Sequence, residues 1–193
     1  GYPAMQKALQ EMIRSRLTSV QRIKASSGRF SGPDLIASVL QADMEKIRQA
    51  VEEVSRSDFA LAVDELMSAR HIYILGLRSS SFLAGYLNFY FHLIFDNVTL
   101  VSSGGTGDVL ERIFRIGPED VLVGICFPRY SNATVKGVRF AVDRGARIIA
   151  VTDGPSSPLY DMASAALTVR SDMIYFVDSL VAPFSLLNAL IVA

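Results

Sequence analysis

The chain has 193 residues, of which half are hydrophobic and a fifth are charged, and its formal net charge is zero. This composition can build a large core and excludes an intrinsically disordered protein. The single cysteine, Cys126, excludes an internal disulfide and is typical of a cytosolic protein. Because the sequence starts without Met and stops within an apolar pattern at Ala193, we expect a piece of a longer protein.

The charge is unevenly distributed along the chain. Residues 1–29 contain six basic side chains against one acidic side chain, Glu11, so the remainder is net acidic. A basic end on an acidic body suggests a segment that faces nucleic acid, although an ordinary solvated helix has the same appearance. Apolar spacing predicts a helix over residues 5–23, and Ser, Gly and Pro residues between 26 and 33 predict a linker.

Two more helices are predicted before the pattern changes. Over residues 34–54, apolar side chains recur at three- and four-residue steps, which is typical of a helix with one apolar face. Ser57 is the expected N-cap of a shorter helix over residues 58–69.

From His71 onward, short apolar segments alternate with helical patterns. The predicted strands are residues 72–75, 98–101, 121–126, 148–151 and 167–169. The predicted helices are residues 80–94, 106–114, 132–144, 158–163 and 175–193. Strands that are apolar without alternation are typical of a sheet covered on both faces. The order therefore predicts an α/β fold, a doubly wound five-stranded parallel sheet preceded by N-terminal helices.

Two of the predicted segments, residues 82–95 and 174–193, are apolar nearly all round. Asp178, Pro183 and Asn188 interrupt the second, so we expect core or subunit-interface helices rather than membrane spans. Together they carry more apolar surface than one sheet face can cover, which predicts a homodimer or homotetramer.

Side chains suited to anion binding follow the first and third predicted strands. They are Arg78, Ser79, Ser80, Arg129, Ser131 and Thr134. Hydroxyls, the free N–H groups of a helix's first turn and its positive dipole end make an anion cradle, to which arginine adds charge-assisted bonds. Ligands of open parallel sheets bind where the strand order reverses. If the first and third strands are neighbours, Ser80 and Ser131 face each other across one crevice. We expect it to hold the phosphate of a small phosphorylated sugar, whereas each serine alone could be a simple helix cap.

The sequence lacks the residue patterns of several other kinds of site. Gly76-Leu77-Arg78 is missing the further glycines of a dinucleotide-binding turn, and the sequence has no Walker-type phosphate loop. The two histidines do not form a metal pair, so we expect neither a cofactor nor a metal. No nucleophile–base–acid set is visible, and we expect no catalytic residue. Glu111 and Asp153 are the carboxylates that could act as a base, with capping or solvation as the alternative.

These loops resemble a known family. Residues 72–84 and 124–134 are similar to the sugar isomerase (SIS) domain. Gly-Leu-Arg-Ser-Ser at 76–80 and Phe-Pro-Arg-Tyr-Ser at 127–131 resemble the RpiR/MurR family of bacterial transcription regulators. Gly1-Tyr2-Pro3 and the basic helix after it resemble the end of that family's helix-turn-helix domain.

The resemblance implies a cytoplasmic repressor or activator whose SIS domain, with a flavodoxin-like strand order, binds a phosphosugar effector that modulates DNA binding. It carries the ligand-binding serines over to Ser80 and Ser131, with Ser79 and Thr134 as helpers. It assigns residues 1–29 to the end of the helix-turn-helix domain. Residues 30–69 become a linker with connecting helices, and residues 70–193 a SIS domain that is cut short. DNA binding would belong to the intact protein, because the recognition helix would precede Gly1. The alternatives are a phosphosugar isomerase or lyase on the same fold, and a purely structural dimerisation domain.

Overall fold

The computed structural model describes residues 35–171, 173–174 and 177–193. The predicted helix over residues 5–23, the linker after it and the expected end of a helix-turn-helix domain lie outside the described residues.

Two helices precede an alternation of strands and helices. The helices are α1 (Leu35–Glu53), α2 (Arg56–Met67), α3 (Ser80–Ile94), α4 (Thr106–Arg112), α5 (Asn132–Asp143) and α6 (Val181–Val192). The strands are β1 (Ile72–Gly76), β2 (Val98–Val101), β3 (Val121–Ile125), β4 (Arg147–Thr152), β5 (Ala165–Thr168), β6 (Met173–Ile174) and β7 (Val177–Asp178). A short 3-10 turn, Tyr160–Met162, lies between β4 and β5.

The first five strands form one parallel sheet in the order β2-β1-β3-β4-β5. This confirms the predicted doubly wound α/β fold. The chain runs outward from β1 to β2, crosses back to β3 on the other side of β1, and continues through β4 to β5. The strand order therefore reverses between β1 and β3, where Gly76 is in register with Ile125. The loops that follow these two strands leave the sheet side by side.

Helices cover both faces of the sheet because its strand residues are apolar on both sides. Ile72 and Ile74 point toward a core that α2, α3 and α6 complete, with α1 packed against it. Tyr73 and Leu75, one residue out of phase, point toward a second core completed by α4 and α5. This two-sided burial fixes the register of β1 and so the direction in which its loop leaves the sheet.

A charged clamp joins the starts of β1 and β3. The Arg70 guanidinium donates from Nε and Nη2 to the two oxygens of Asp120, at 2.9 and 2.6 Å. The Gly117 N–H donates to Asp120 Oδ2 at 2.8 Å. Burial favours the protonated acid, but these hydrogen bonds outweigh it, and the pKa of Asp120 lies below its ordinary value. A fully buried carboxylate is therefore kept ionised at the edge of the sheet opposite the serine loops.

The C-terminal helix predicted for residues 175–193 is confirmed over Val181–Val192, but its predicted start is wrong. Val177–Asp178 instead pairs with Met173–Ile174 as an antiparallel ladder, and α6 begins only at Val181. Pro183 explains the late start, because proline has no N–H and its ring clashes with the carbonyl four residues earlier. It is tolerated in the first turn of α6 but would disrupt the interior of a longer helix.

Smaller differences concern helix ends. The second helix begins at Arg56, before its predicted start at 58, because the Ser55 hydroxyl and not that of Ser57 accepts the Asp58 N–H, at 3.2 Å. The helix predicted over residues 158–163 is only the 3-10 turn.

Exposed apolar side chains are most numerous on two of the helices. They are Ile36, Leu40, Met44 and Val51 on α1, and Phe82, Phe89 and Leu93 on α3. The expected homodimer or homotetramer stays a prediction. No helix in the described part of the chain is both long and apolar enough to cross a membrane.

Candidate functional site

A cavity of about 160 Å³ lies where the strand order reverses, between the loops that follow β1 and β3. It is smaller than the roughly 300–1,000 Å³ of pockets that enclose a drug-sized molecule, and it fits a small polar group. Its lining residues are Leu77, Arg78, Ser79, Ser80, Cys126, Phe127, Pro128, Arg129 and Ser131. Five of the six predicted site residues therefore meet in one place. Thr134 is the exception, because it lies buried behind the lining.

Both lining arginines have a left-handed backbone, with φ of 59° at Arg78 and 70° at Arg129. This conformation costs a residue with a side chain about 1–2 kcal/mol, so the surrounding structure must hold it in place. Ser79, which follows Arg78, is right-handed at φ −61° and ψ −31°. Successive residues of opposite hand turn their N–H groups toward one side, which is the geometry of an anion-binding nest.

Close packing of α3 on β1 shapes the first loop. A Cβ at Gly76 would lie 2.7 Å from the Ser80 carbonyl oxygen and 2.9 Å from Ala84 Cβ, so only glycine fits there. The Ser81 hydroxyl donates to the Arg78 carbonyl at 2.6 Å and closes the turn. Ser80 is buried at the start of α3, where the positive dipole end of the helix faces the cavity, while the first N–H groups of the helix already donate to backbone carbonyls of the preceding turn.

Ser131 organises the second loop as the N-cap of α5. Its hydroxyl accepts the N–H of Thr134 at 3.4 Å. The Thr134 hydroxyl is fully buried and has no hydrogen-bond partner among the described residues. The structure therefore gives Thr134 a backbone role in holding Ser131, and its side chain does not reach the cavity lining.

The two loops are joined by their arginines. Arg78 Nη1 donates to the carbonyl oxygen of Arg129 at 3.3 Å. The Arg129 guanidinium in turn forms an ion pair with Asp178, which ends β7. Asp178 was missed from the sequence because it lay within a predicted helix. The available signal was a single acid in an otherwise apolar run.

Hydroxyl contacts tie the second loop to the one after β4. The Tyr130 hydroxyl donates to the Asp153 carboxylate, at 2.8 and 3.0 Å from its two oxygens. Burial, followed by this hydrogen bond, raises the pKa of Tyr130. The Thr152 hydroxyl lies 2.7 Å from the Cys126 carbonyl oxygen and 2.6 Å from the Ser157 hydroxyl.

The cavity is poorly equipped for acid–base or nucleophilic chemistry. Burial raises the pKa of the Cys126 thiol to about 11, which keeps it protonated and unreactive at neutral pH. Glu111 is exposed on α4 and lies outside the lining, and Asp153 is engaged by Tyr130. Among the described residues that line the cavity, none is acidic. The part of the chain that the structure describes also holds no His, Cys, Asp and Glu cluster suited to a metal ion.

Comparison with known proteins places the chain in a family. The model of the SIS domain matches residues 65–193, a range that includes both loops of the cavity. A protein of Clostridium perfringens, named an uncharacterized HTH-type transcriptional regulator, is 24% identical over 133 residues. The match covers 69% of this chain and 47% of that protein, so the chain spans about half the length of the curated relative.

Solved structures share the fold. The sugar isomerase domain of an RpiR transcription factor from Sphaerobacter thermophilus has a TM-score of 0.78 at 23% identity, over 82% of this chain and 88% of that one. The Vibrio vulnificus NanR protein, complexed with ManNAc-6P, has a TM-score of 0.71 at 17% identity, over 82% and 61%. Phosphoheptose isomerase from Neisseria gonorrhoeae has a TM-score of 0.65 at 14% identity, over 81% and 94%. The model of the SIS domain matches residues 65–193, and the solved structures share the fold that carries the cavity. The chain therefore belongs to the SIS-domain family.

Proposed function

We propose that this chain is the effector-binding part of a transcription regulator, and that its cavity binds the phosphate of a phosphosugar. One observation carries the proposal: two serine loops and two arginines, remote in sequence, line a single small cavity. In the whole protein, occupancy of this cavity would modulate DNA binding in the cytoplasm.

The chemistry of the lining suits a phosphate dianion. The hydroxyls of Ser79, Ser80 and Ser131 can donate to phosphate oxygens, and the positive dipole end of α3 adds a favourable potential for an anion. Arg78 and Arg129 supply positive charge and charge-assisted hydrogen bonds. The sugar would extend outward from the cavity, because about 160 Å³ accommodates little beyond the phosphate.

Relatives support the role of regulator. The Clostridium perfringens relative is named as a transcriptional regulator, and the NanR structure holds ManNAc-6P. The basic N-terminal segment agrees with a connection toward DNA.

An isomerase is the second candidate, because phosphoheptose isomerase has the same fold. Fold alone does not decide between binding and catalysis. An isomerase needs a positioned base, and the cavity lining offers no carboxylate or histidine among the described residues. This lining favours a protein that binds a phosphosugar without converting it.

The site is tested by calorimetry with a phosphosugar panel that includes N-acetylmannosamine 6-phosphate. We expect wild type to bind at least one member, and the double variant Ser80→Ala, Ser131→Ala to bind it about 100-fold or more weakly. Each lost hydrogen bond to a charged group contributes roughly 1.5–3 kcal/mol. Ser57→Ala, which removes an exposed hydroxyl from α2, is the control and should bind normally. Full affinity in the double variant would refute the assignment. Turnover of a panel member that Glu111→Gln abolishes would favour the isomerase.

A further inference from the structure

Arg129 stands between the cavity and the C-terminal part of the chain. It lines the cavity, and its guanidinium pairs with Asp178, which is not part of the lining. Both side chains are largely buried, at 25% and 18% exposure, so their charges are only weakly screened by solvent. An acidic group therefore lies directly behind a cation that faces the cavity.

The residue after Asp178 connects to the first described helix. The Ser179 hydroxyl donates to Asp43 Oδ1 on α1 at 2.6 Å. The same hydroxyl accepts the Val181 N–H at 3.4 Å, at the start of α6. Ser179 is itself buried, so this contact is not a loose surface one. Two consecutive residues thus link the cavity arginine with α1 and α6.

We propose that a phosphate dianion in the cavity competes with Asp178 for Arg129, and that this competition reaches α1 through the contact between Ser179 and Asp43. The proposal rests on the proposed function and describes the regulation of the same site. Phosphate and Asp178 carry like charge and approach the same guanidinium. Binding therefore weakens the ion pair and loosens the attachment of residues 178 and 179.

The contacts lead from the cavity toward the N-terminal side of the chain, where a DNA-binding segment is expected. In the sequence, α1 directly follows the basic segment of residues 1–29 and the linker after it. A change in the attachment of α1 is therefore the change that a DNA-binding segment placed before it would receive. By linkage, whatever stabilises the attached form of α1 must also weaken phosphate binding.

The first test is the affinity of Asp178→Asn for inorganic phosphate and for the phosphosugar that wild type binds. Asparagine keeps the shape and the hydrogen bond of the acid but removes its charge. If phosphate and Asp178 compete, Asp178→Asn should bind phosphate about threefold to tenfold more tightly than wild type. This is the effect expected from removing one like charge at roughly 10 Å in partly hydrated protein. If Asp178 only holds Arg129 in position, the affinity is unchanged or falls, and either result overturns the proposal.

The second test is hydrogen exchange of the α1 amides around Asp43, with and without saturating inorganic phosphate. We expect phosphate to increase exchange in wild type. In Ser179→Ala the attachment that opposes binding is gone, so the affinity for phosphate should rise, by no more than in Asp178→Asn, while the response of α1 is lost. Glu53→Gln is the matched control, because it removes a charge from α1 that pairs with Arg170 and not with residue 178 or 179. It should keep the response.

The outcomes separate the two proposals. A wild-type chain that binds neither phosphate nor any phosphosugar refutes the proposed function. A chain that binds phosphate but shows no α1 response, or the same response after Ser179→Ala, refutes only the coupling.

Discussion

Replacing Gly76 with alanine tests how closely α3 must approach the end of β1. The added Cβ would lie 2.7 Å from the Ser80 carbonyl oxygen, whereas ordinary contacts begin near 3.4 Å. The start of α3 would have to move by the difference, roughly 0.7 Å. Neither this oxygen nor Ala84 Cβ can rotate away, because both belong to the packed helix. Overpacking of this kind costs about 1–3 kcal/mol of unfolding free energy.

Gly85→Ala, in the same helix, is the matched control. A Cβ at Gly85 would meet nothing within 4 Å. Alanine should therefore raise the unfolding free energy by about 0.5–1 kcal/mol through its better helix propensity. Both values can be measured by urea denaturation followed by circular dichroism.

Measuring phosphosugar affinity in the same two variants shows whether the close packing at Gly76 also matters for ligand binding. A shift of the Ser80 backbone displaces the Ser80 hydroxyl and the start of α3 from the cavity lining, so we expect Gly76→Ala to bind phosphosugar about tenfold or more weakly. Gly85→Ala should bind as wild type does. A Gly76→Ala protein with wild-type stability and wild-type affinity would show that the close approach of α3 matters for neither.

Two further predictions concern charged residues that flank β1 and β3. Arg78→Gly removes both the guanidinium and the cost of a left-handed side-chain residue, whereas Arg78→Ala removes only the guanidinium. We expect the glycine variant to be more stable than the alanine variant by about 1 kcal/mol in urea, with phosphate binding equally weakened in both. Equal stabilities would contradict the strain inferred from φ at Arg78. For Asp120, the folded pKa lies below the ordinary 3.8, so the unfolded state binds more protons and stability falls as pH drops from 3.8 toward the folded value. Asp120→Asn should lower the unfolding free energy at pH 7 by about 1–3 kcal/mol and reduce its loss in acid. An unchanged acid dependence would be evidence against the Arg70 clamp.

Much of the sheet could be predicted from the sequence because its strands are short, apolar and separated by helices of clear periodicity. The bounds of β2 and α3 agree with the prediction at both ends. The start of the helix predicted over residues 175–193 was wrong because a mostly apolar run has no periodicity that separates strand from helix. Pro183 carried the missing information, since a proline fits the first turn of a helix better than its middle.

The meeting of the two serine loops could also be predicted, because the carboxyl ends of neighbouring parallel strands share one edge. The left-handed arginines could not, because nothing local in Arg78 or Arg129 demands a positive φ. Nor could the pairing of Arg129 with Asp178, which are 49 residues apart. Such contacts depend on tertiary packing that no short window of sequence contains. Phosphate binding by these residues stays a prediction.

The Arg70–Asp120 clamp has a mechanical consequence for the cavity. It fastens β1 to β3 at the far edge of the sheet, while the ladder between them continues to Gly76 and Ile125. The two strands are therefore held together along their whole length, and we expect that they do not slide past each other to widen the cavity between their loops. A bound ligand would then shift the loops after β1 and β3 and the helices packed on the sheet, and not the strands. New ligand preferences can then arise by altering a few turn residues while the frame stays intact.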